Sequence, residues 1–153
     1  MMLAWIGSHP LLIAIAACAA FAVWKGSWPE RIGAGVNLLF ALLYFLSVQA
    51  FPLSALLTVT LVLDGLLAFS FLALAVRFAA IWMGVAMLLQ AGQFTLHAYY
   101  WVIERPFDTL FAVVNNVVSW GVIICITGGV VASWMVRTRA RPAAFNAAAA
   151  GSA

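Results

Sequence analysis

Asp64 is the residue whose type and surroundings most clearly indicate chemistry in this sequence. It lies inside a long apolar stretch, and no basic residue occurs within ten positions on either side. An ionised aspartate at the centre of a bilayer costs about 2.5–3.5 kcal/mol on insertion scales, so this side chain is expected to face protein or a water-filled cavity. Intramembrane ionisable residues mark ion and proton paths, which makes Asp64 the first functional candidate.

Polar side chains on later apolar stretches can meet Asp64 if the chain folds as helical hairpins. A turn at Arg77 puts Asp64 and Gln90 at one depth, because each lies 13 residues from it. Polar residues that follow Gln90 at helical spacing share its face, and a later turn near Arg105 brings two asparagines to a similar depth. The predicted polar seam consists of Asp64, Gln90, Gln93, His97, Asn115 and Asn116.

Two interpretations of the polar seam differ in function. In the first, its side chains bond across helices and fix which helices pair, at an average of about 0.6 kcal/mol for each bond. In the second, they form a proton or cation path, or line a small-molecule pocket, with Asp64 as the titrating group. A hydrated cavity beside Asp64 favours the second interpretation, and a dry, hydrogen-bonded Asp64 favours the first.

Cofactor chemistry is limited by the two histidines and two cysteines of the chain. His9 lies near solvent at the start of the chain and is a poor haem partner for His97, and the spacing of His97 and Asp64 is not that of a zinc or iron site. Cys18 and Cys125 lie in apolar stretches, where thiols pack as small hydrophobes. No hydrolase motif occurs. We therefore predict no metal, no cofactor and no enzymatic activity.

Composition defines the elements that must position these side chains. Of 153 residues, 67% are apolar and 7% are charged, whereas a soluble domain carries about 25% charged residues. We predict an all-α, polytopic transmembrane bundle, because a soluble chain of this length cannot bury so much apolar surface. The five predicted spans cover residues 3–24, 32–51, 53–76, 78–102 and 109–136. Residues 1–136 thus form the bundle, and residues 137–153 form a flexible, basic and Ala-rich cytoplasmic tail.

Charge predicts the orientation of these spans. One side of the bilayer receives six basic residues, and the other receives only Arg105, beside Glu104 and Asp108. The positive-inside rule then puts the N-terminus outside and the C-terminus in the cytoplasm. The six residues are Lys25, Arg31, Arg77, Arg137, Arg139 and Arg141.

Short connections carry the signals that begin and end the spans. Ser27 is the predicted cap of the second span, Pro52 separates the second from the third, and Asp108 is the predicted cap of the fifth. Glu30 and Arg31 are expected at the cytoplasmic interface, as a local ion pair in an ordinary helix start or as a docking point for a partner. Aromatic residues near the span ends are expected in interface belts, namely Trp5, Trp24, Trp82, Tyr99, Tyr100, Trp101 and Trp134.

The motif Trp28-Pro29-Glu30-Arg31 at the second span, Asp64 in the third, and Trp82, Leu89-Gln90 and His97 in the fourth stand out together. With these features the chain resembles a loose group of short, uncharacterised polytopic membrane proteins of alphaproteobacteria. The resemblance implies a bacterial inner-membrane location and carries over no activity.

The expected partners follow from the predicted membrane location. They are the lipid bilayer and other membrane proteins or further copies of the chain, not nucleic acid. We expect a non-enzymatic accessory or scaffold subunit. The alternative is a proton-coupled small-molecule carrier or channel-like protein that uses Asp64.

Overall fold

The computed structural model describes residues 2–103 and 108–150, and within them the side chains of residues 10–52, 55–103 and 108–140. The described residues form five helices and no β-strand, as the sequence predicted. The helices are α1 (Met2–Lys25), α2 (Trp28–Ala50), α3 (Leu53–Phe78), α4 (Ile81–Val102) and α5 (Thr109–Ala150). The side chains of Trp5, His9 and Arg141 and the polar residues 104–106 lie outside the described part.

Capping residues explain where α2 and α5 begin. The backbone N–H of Ser27 donates to Glu30 Oε2 at 2.7 Å, which is the half of a capping box that the glutamate supplies. At α5, Asp108 Oδ1 accepts the backbone N–H of Phe111 at 2.9 Å. The expected ion pair between Glu30 and Arg31 is wrong, because Glu30 turns back to the helix start and Arg31 Nε donates to the Gly26 carbonyl at 3.2 Å.

The other helix ends follow from backbone constraints. Pro52 stands between α2 and α3, since the residue before a proline resists helical geometry. Between α3 and α4 only Ala79 and Ala80 are non-helical, and Ala79 adopts a left-handed conformation with φ 50°. This tight turn makes α3 and α4 an antiparallel hairpin.

Contacts between side chains define the packing order of the bundle. Helix α4 lies between α3 and α5, because Asp64 of α3 bonds Gln90 while Asn115 of α5 bonds Gln93. Helix α1 runs alongside α5, where Cys18 Sγ lies 3.4 Å from Thr127 Oγ1. Helix α2 packs against α1 and α3 and touches α5.

Trp82 at the start of α4 occupies a notch between two glycines. A methyl carbon built on Gly33 of α2 would lie 2.8 Å from the indole, and one on Gly129 of α5 would lie 2.6 Å from it. Both glycines therefore allow the ring to approach their backbones closely. The sequence analysis expected Trp82 near a membrane interface, and in the structure its half-buried indole packs between helices α2 and α5 at the end of the bundle where α4 begins.

Three helices are long and apolar enough to cross a membrane within the described part of the chain: Trp28–Ala50, Ala55–Phe78 and Thr109–Ala140. Pro10–Lys25 is a shorter apolar helix. Large hydrophobic side chains, among them Phe69, Leu88 and Ile124, point out of the bundle. An outward apolar surface of this kind suits a membrane protein and not a soluble one.

Helix α5 continues beyond the predicted end of the last span. Sequence analysis assigned residues 137–153 to a flexible tail, but the helix runs through Ala150. Alanine has the highest helix propensity, which accounts for continued helix in an Ala-rich segment. Residues 151–153 lie outside the described part.

Candidate functional site

One face of α4 carries the side chains of the candidate site. Its buried residues recur at alternating intervals of three and four, which keeps them on a single stripe of the helix. They are Met83, Ala86, Gln90, Gln93, His97 and Tyr100. The stripe is apolar at the end where α4 begins and polar from Gln90 onward, so α4 brings hydrogen-bonding groups into the interior of the bundle.

Asp64 of α3 lies opposite this stripe and is bonded through both of its carboxyl oxygens. Gln90 Nε2 donates to Oδ1 at 3.0 Å, and His97 Nδ1 is in direct hydrogen-bond contact with Oδ2. Only 9% of Asp64, 4% of Gln90 and 3% of His97 is exposed. The carboxyl group is therefore held between two side chains that lie about two turns apart on α4, and it is not directed towards lipid.

Among the residues that the structure describes, the contact between Asp64 and His97 is the one approach within 4 Å of a carboxyl oxygen to a basic side-chain nitrogen. A hydrogen bond between a carboxyl oxygen and an imidazole nitrogen requires one proton, which either group is able to hold. The pair therefore combines an acid and a base in the interior of the bundle. The spacing of these residues predicted that they share a region, but not that they touch.

Aromatic side chains hold the other side of the His97 ring. Phe111 of α5 stacks on the imidazole with ring centroids 4.8 Å apart and an interplanar angle of 24°. Tyr100, which is 1% exposed, packs edge-on against Phe111 and donates its hydroxyl to Asp108 Oδ1 at 2.6 Å. The ring orientation of His97 is thus set by α3 on one side and by α5 on the other.

A neutral amide pair joins α4 to α5. Gln93 Nε2 donates to Asn115 Oδ1 at 2.8 Å, and the Ser119 hydroxyl donates to the backbone carbonyl of Asn115. Asn116 does not belong to this contact, and its predicted place in the polar seam is wrong. It is exposed, because one further residue turns a side chain about 100° around an α-helix.

Two further polar residues lie near Asp64, but neither forms a hydrogen bond with its carboxyl group in the described residues. Thr60 is buried one turn before Asp64, and its hydroxyl donates to the Leu57 carbonyl at 3.0 Å. Tyr44 of α2 is close enough to the Asp64 carboxyl for the two groups to interact electrostatically, and the residue is partly exposed. Helix α2 therefore approaches the site from a third direction.

The arrangement satisfies the polar groups that it buries. In the described residues, no buried side-chain nitrogen or oxygen lacks a hydrogen-bond partner. Within the same part of the chain, no three His, Cys, Asp or Glu side chains are grouped so that they could hold a metal ion. Chemically, these groups can pair helices or pass a proton between Asp64 and His97.

Comparison with known proteins adds no relative. No family model, curated protein or solved structure matches this chain. The class of the protein is therefore defined by its own fold and site: an all-helical bundle with three helices able to cross a membrane, and with a hydrogen-bonded acid–base pair in its interior.

Tyr100, Asp108 and Phe111 contribute to the site although sequence reasoning gave them other roles or none. Tyr100 was expected in an interface belt, but it is buried at the end of the α4 stripe. The signal was available, because Tyr100 follows His97 by three residues and thus shares its helix face. Nothing in the sequence singled out Phe111, since an aromatic residue in an apolar span is ordinary.

Proposed function

We propose that the chain is a five-span protein of the bacterial inner membrane and that it serves as a non-enzymatic accessory or scaffold subunit. The proposed N-terminus is outside and the proposed C-terminus is cytoplasmic. Charge supports this orientation, because Lys25, Arg31 and Arg137 lie at the same end of the bundle. Arg77 is at that end too, beside the start of α4. Basic residues near span ends favour the cytoplasmic side.

The observation that carries the scaffold proposal is that the polar side chains at the centre of the site bond to one another. Asp64 bonds to α4 through both oxygens, and Gln93 bonds α4 to α5. Such bonds fix which helices pair and leave the apolar faces outward, where lipid or another membrane protein can pack. A subunit that organises a larger complex requires this kind of fixed bundle.

A labelling experiment tests whether α4 crosses the membrane, which the five-span topology requires. In a background without Cys18 and Cys125, single cysteines replace Phe51, between α2 and α3, and Arg139, near the end of α5. Five spans put these positions on opposite sides, so an impermeant maleimide added to intact cells labels Phe51→Cys and leaves Arg139→Cys unlabelled. If only the three candidate helices cross, both positions lie on one side and label alike, which would refute the proposed topology.

Isolation in a mild detergent tests the scaffold role. The tagged full-length chain is expected to retain a membrane protein at a constant ratio through purification. Asp64→Asn serves as the matched variant, since it keeps an acceptor for Gln90 and a group of the same size. We expect it to retain the partner, and a chain that purifies alone under conditions that preserve its fold would contradict the scaffold role.

The pair of Asp64 and His97 favours a second candidate function, that of a proton-coupled carrier. The carboxyl and the imidazole are in direct contact inside the bundle, and Tyr44 of α2 is a further titratable side chain near the carboxyl. If this function is correct, proteoliposomes containing the protein take up protons faster than empty ones under an imposed membrane potential. Asp64→Asn abolishes the flux, whereas Gln93→Met, which removes only the neutral amide pair, retains it. Equal rates with and without the protein leave the scaffold proposal in place.

A further inference from the structure

A second set of polar residues surrounds a pocket at the basic end of the bundle, away from the Asp64 site. The pocket has a volume of about 330 Å³ and lies where the end of α1, the start of α2 and the later part of α5 come together. Its lining includes Trp24, Lys25, Arg31, Trp134, Arg137 and Thr138. Small-molecule sites begin at about 300 Å³, so the space suits a compact group.

Contacts with the backbone and with aromatic rings fix the three cations of this pocket. Arg31 Nε donates to the Gly26 carbonyl at 3.2 Å, and Arg137 Nη2 donates to the Lys25 carbonyl. Lys25 Nζ lies 4.2 Å from the centre of the Trp24 ring and 5.2 Å from that of Trp134. Each guanidinium keeps further N–H donors for a ligand, and a planar fork of donors matches the oxygens of a phosphate.

No described carboxylate neutralises the cations of the pocket. In the described part of the chain, no Asp or Glu oxygen lies within 4 Å of a nitrogen of Lys25, Arg31 or Arg137. Glu30 is the acid closest in sequence, but it is buried and its Oε2 accepts the Ser27 N–H. Three like charges around one small pocket repel one another, and an anion between them removes that repulsion.

The tryptophans indicate where the pocket lies relative to a bilayer. Trp24 is 73% exposed, and Trp134 is also exposed, beside a cluster of cations at the ends of apolar helices. Tryptophan prefers the headgroup level of a membrane, and the cytoplasmic leaflet contains anionic lipids. We propose that this pocket binds the phosphate group of an anionic glycerophospholipid. The proposal rests on the membrane orientation proposed above and is independent of the scaffold role.

Lipid retention tests this assignment with the full-length chain in nanodiscs that contain or lack phosphatidylglycerol. After extraction, native mass spectrometry counts the phosphatidylglycerol that remains bound. Each cation near an anionic headgroup contributes to the binding free energy of the lipid. The double variant Arg31→Gln and Arg137→Gln should therefore bind phosphatidylglycerol about thirtyfold more weakly. The control is Arg139→Gln, which removes a charge at the same end but outside the pocket, and which should retain the lipid.

A second variant guards against misfolding. Lys25→Gln removes a cation whose side chain makes no hydrogen bond in the described residues, and it should also reduce retention while melting at the wild-type temperature in phosphatidylcholine nanodiscs. The proposed lipid site would be refuted if all variants retained the lipid equally, or if Arg139→Gln lost as much lipid as the pocket variants. If inorganic phosphate added to phosphatidylcholine nanodiscs stabilises the protein as much as phosphatidylglycerol does, the ligand is not specifically a lipid and that part of the proposal is refuted. Cysteine labelling that puts Arg139 outside would refute the proposed orientation. Lipid retention tests the pocket itself, so the failure of one proposal is distinguishable from the failure of the other.

Discussion

Replacement of Asp64 and His97, singly and together, measures how much the contact between the two side chains stabilises the bundle and whether charge strengthens it. Asp64→Leu leaves Gln90 Nε2 without its acceptor and His97 Nδ1 without its hydrogen-bond partner. His97→Leu leaves the Asp64 carboxyl with one of its two partners. The double variant removes both titratable groups and replaces them with apolar side chains of similar size.

The expected magnitudes follow from the burial of the three groups. A buried donor or acceptor that loses its partner costs about 1–3 kcal/mol, and hydrogen bonds to a charged group contribute about 1.5–3 kcal/mol. Each single variant should therefore lower the free energy of unfolding by about 2–4 kcal/mol. Replacing a whole buried ion pair by apolar groups is often close to neutral, so the double variant should cost less than the sum of the two. We expect a coupling energy of about 2 kcal/mol.

The bundle contains its own reference for this measurement. Gln93 and Asn115 form a neutral pair across the next helix interface, where a coupling of about 0.6 kcal/mol is expected. The free energies are measured by SDS titration in bicelles, followed by circular dichroism, for both double-mutant cycles. If the cycle of Asp64 and His97 gives no more than that of Gln93 and Asn115, the charge of the pair does not contribute and the reasoning is wrong.

Two further predictions concern helix packing and capping. Gly129→Ala should destabilise the bundle by about 1–3 kcal/mol, because the added methyl group meets the Trp82 indole. Gly128→Ala, which meets no atom within 4 Å, should be neutral or stabilising by up to about 1 kcal/mol, and the opposite ranking in SDS titration would refute the proposed notch. Asp108→Ala should cost about 1–2 kcal/mol, because it removes the cap of α5 and the acceptor of Tyr100, whereas Asp108→Asn should cost less. Comparable losses in the two Asp108 variants, measured as shifts in melting temperature, would contradict the capping role.

The depth of the site was predictable because a helical hairpin with a short turn sets its own register. The predicted turn at Arg77 lies two residues before the observed one at Ala79 and Ala80, so counting residues brought Asp64 close to Gln90 but did not show that it lies between Gln90 and His97. The same counting did not assign partners at the atomic level, because rotation about each helix axis decides which side chains touch. Asn115 and Asn116 illustrate this limit: they differ little in depth, yet one contacts Gln93 and the other is exposed.

Close packing against the backbone was harder to predict. Gly128 and Gly129 are neighbours in the sequence, and only the position of the Trp82 ring distinguishes them. The ring belongs to a helix that is distant in sequence, so no local pattern contains this information. For the same reason the sequence did not predict that Trp82 packs between helices.

Helix α4 explains why hydropathy alone gives an incomplete account of this chain. Its polar residues Gln90, Gln93 and His97 lie on one buried stripe, whereas its outer surface carries Val85, Leu88 and other large apolar side chains. An average over all residues counts the buried amides against a membrane position, but lipid contacts only the outer surface. The exposed Thr95 also suits lipid, since its hydroxyl donates to the Ala91 carbonyl at 2.9 Å. Polar residues on the buried side and apolar residues on the outer side support a crossing of the membrane by α4 in the proposed five-span topology. The labelling of Phe51→Cys and Arg139→Cys tests whether α4 crosses.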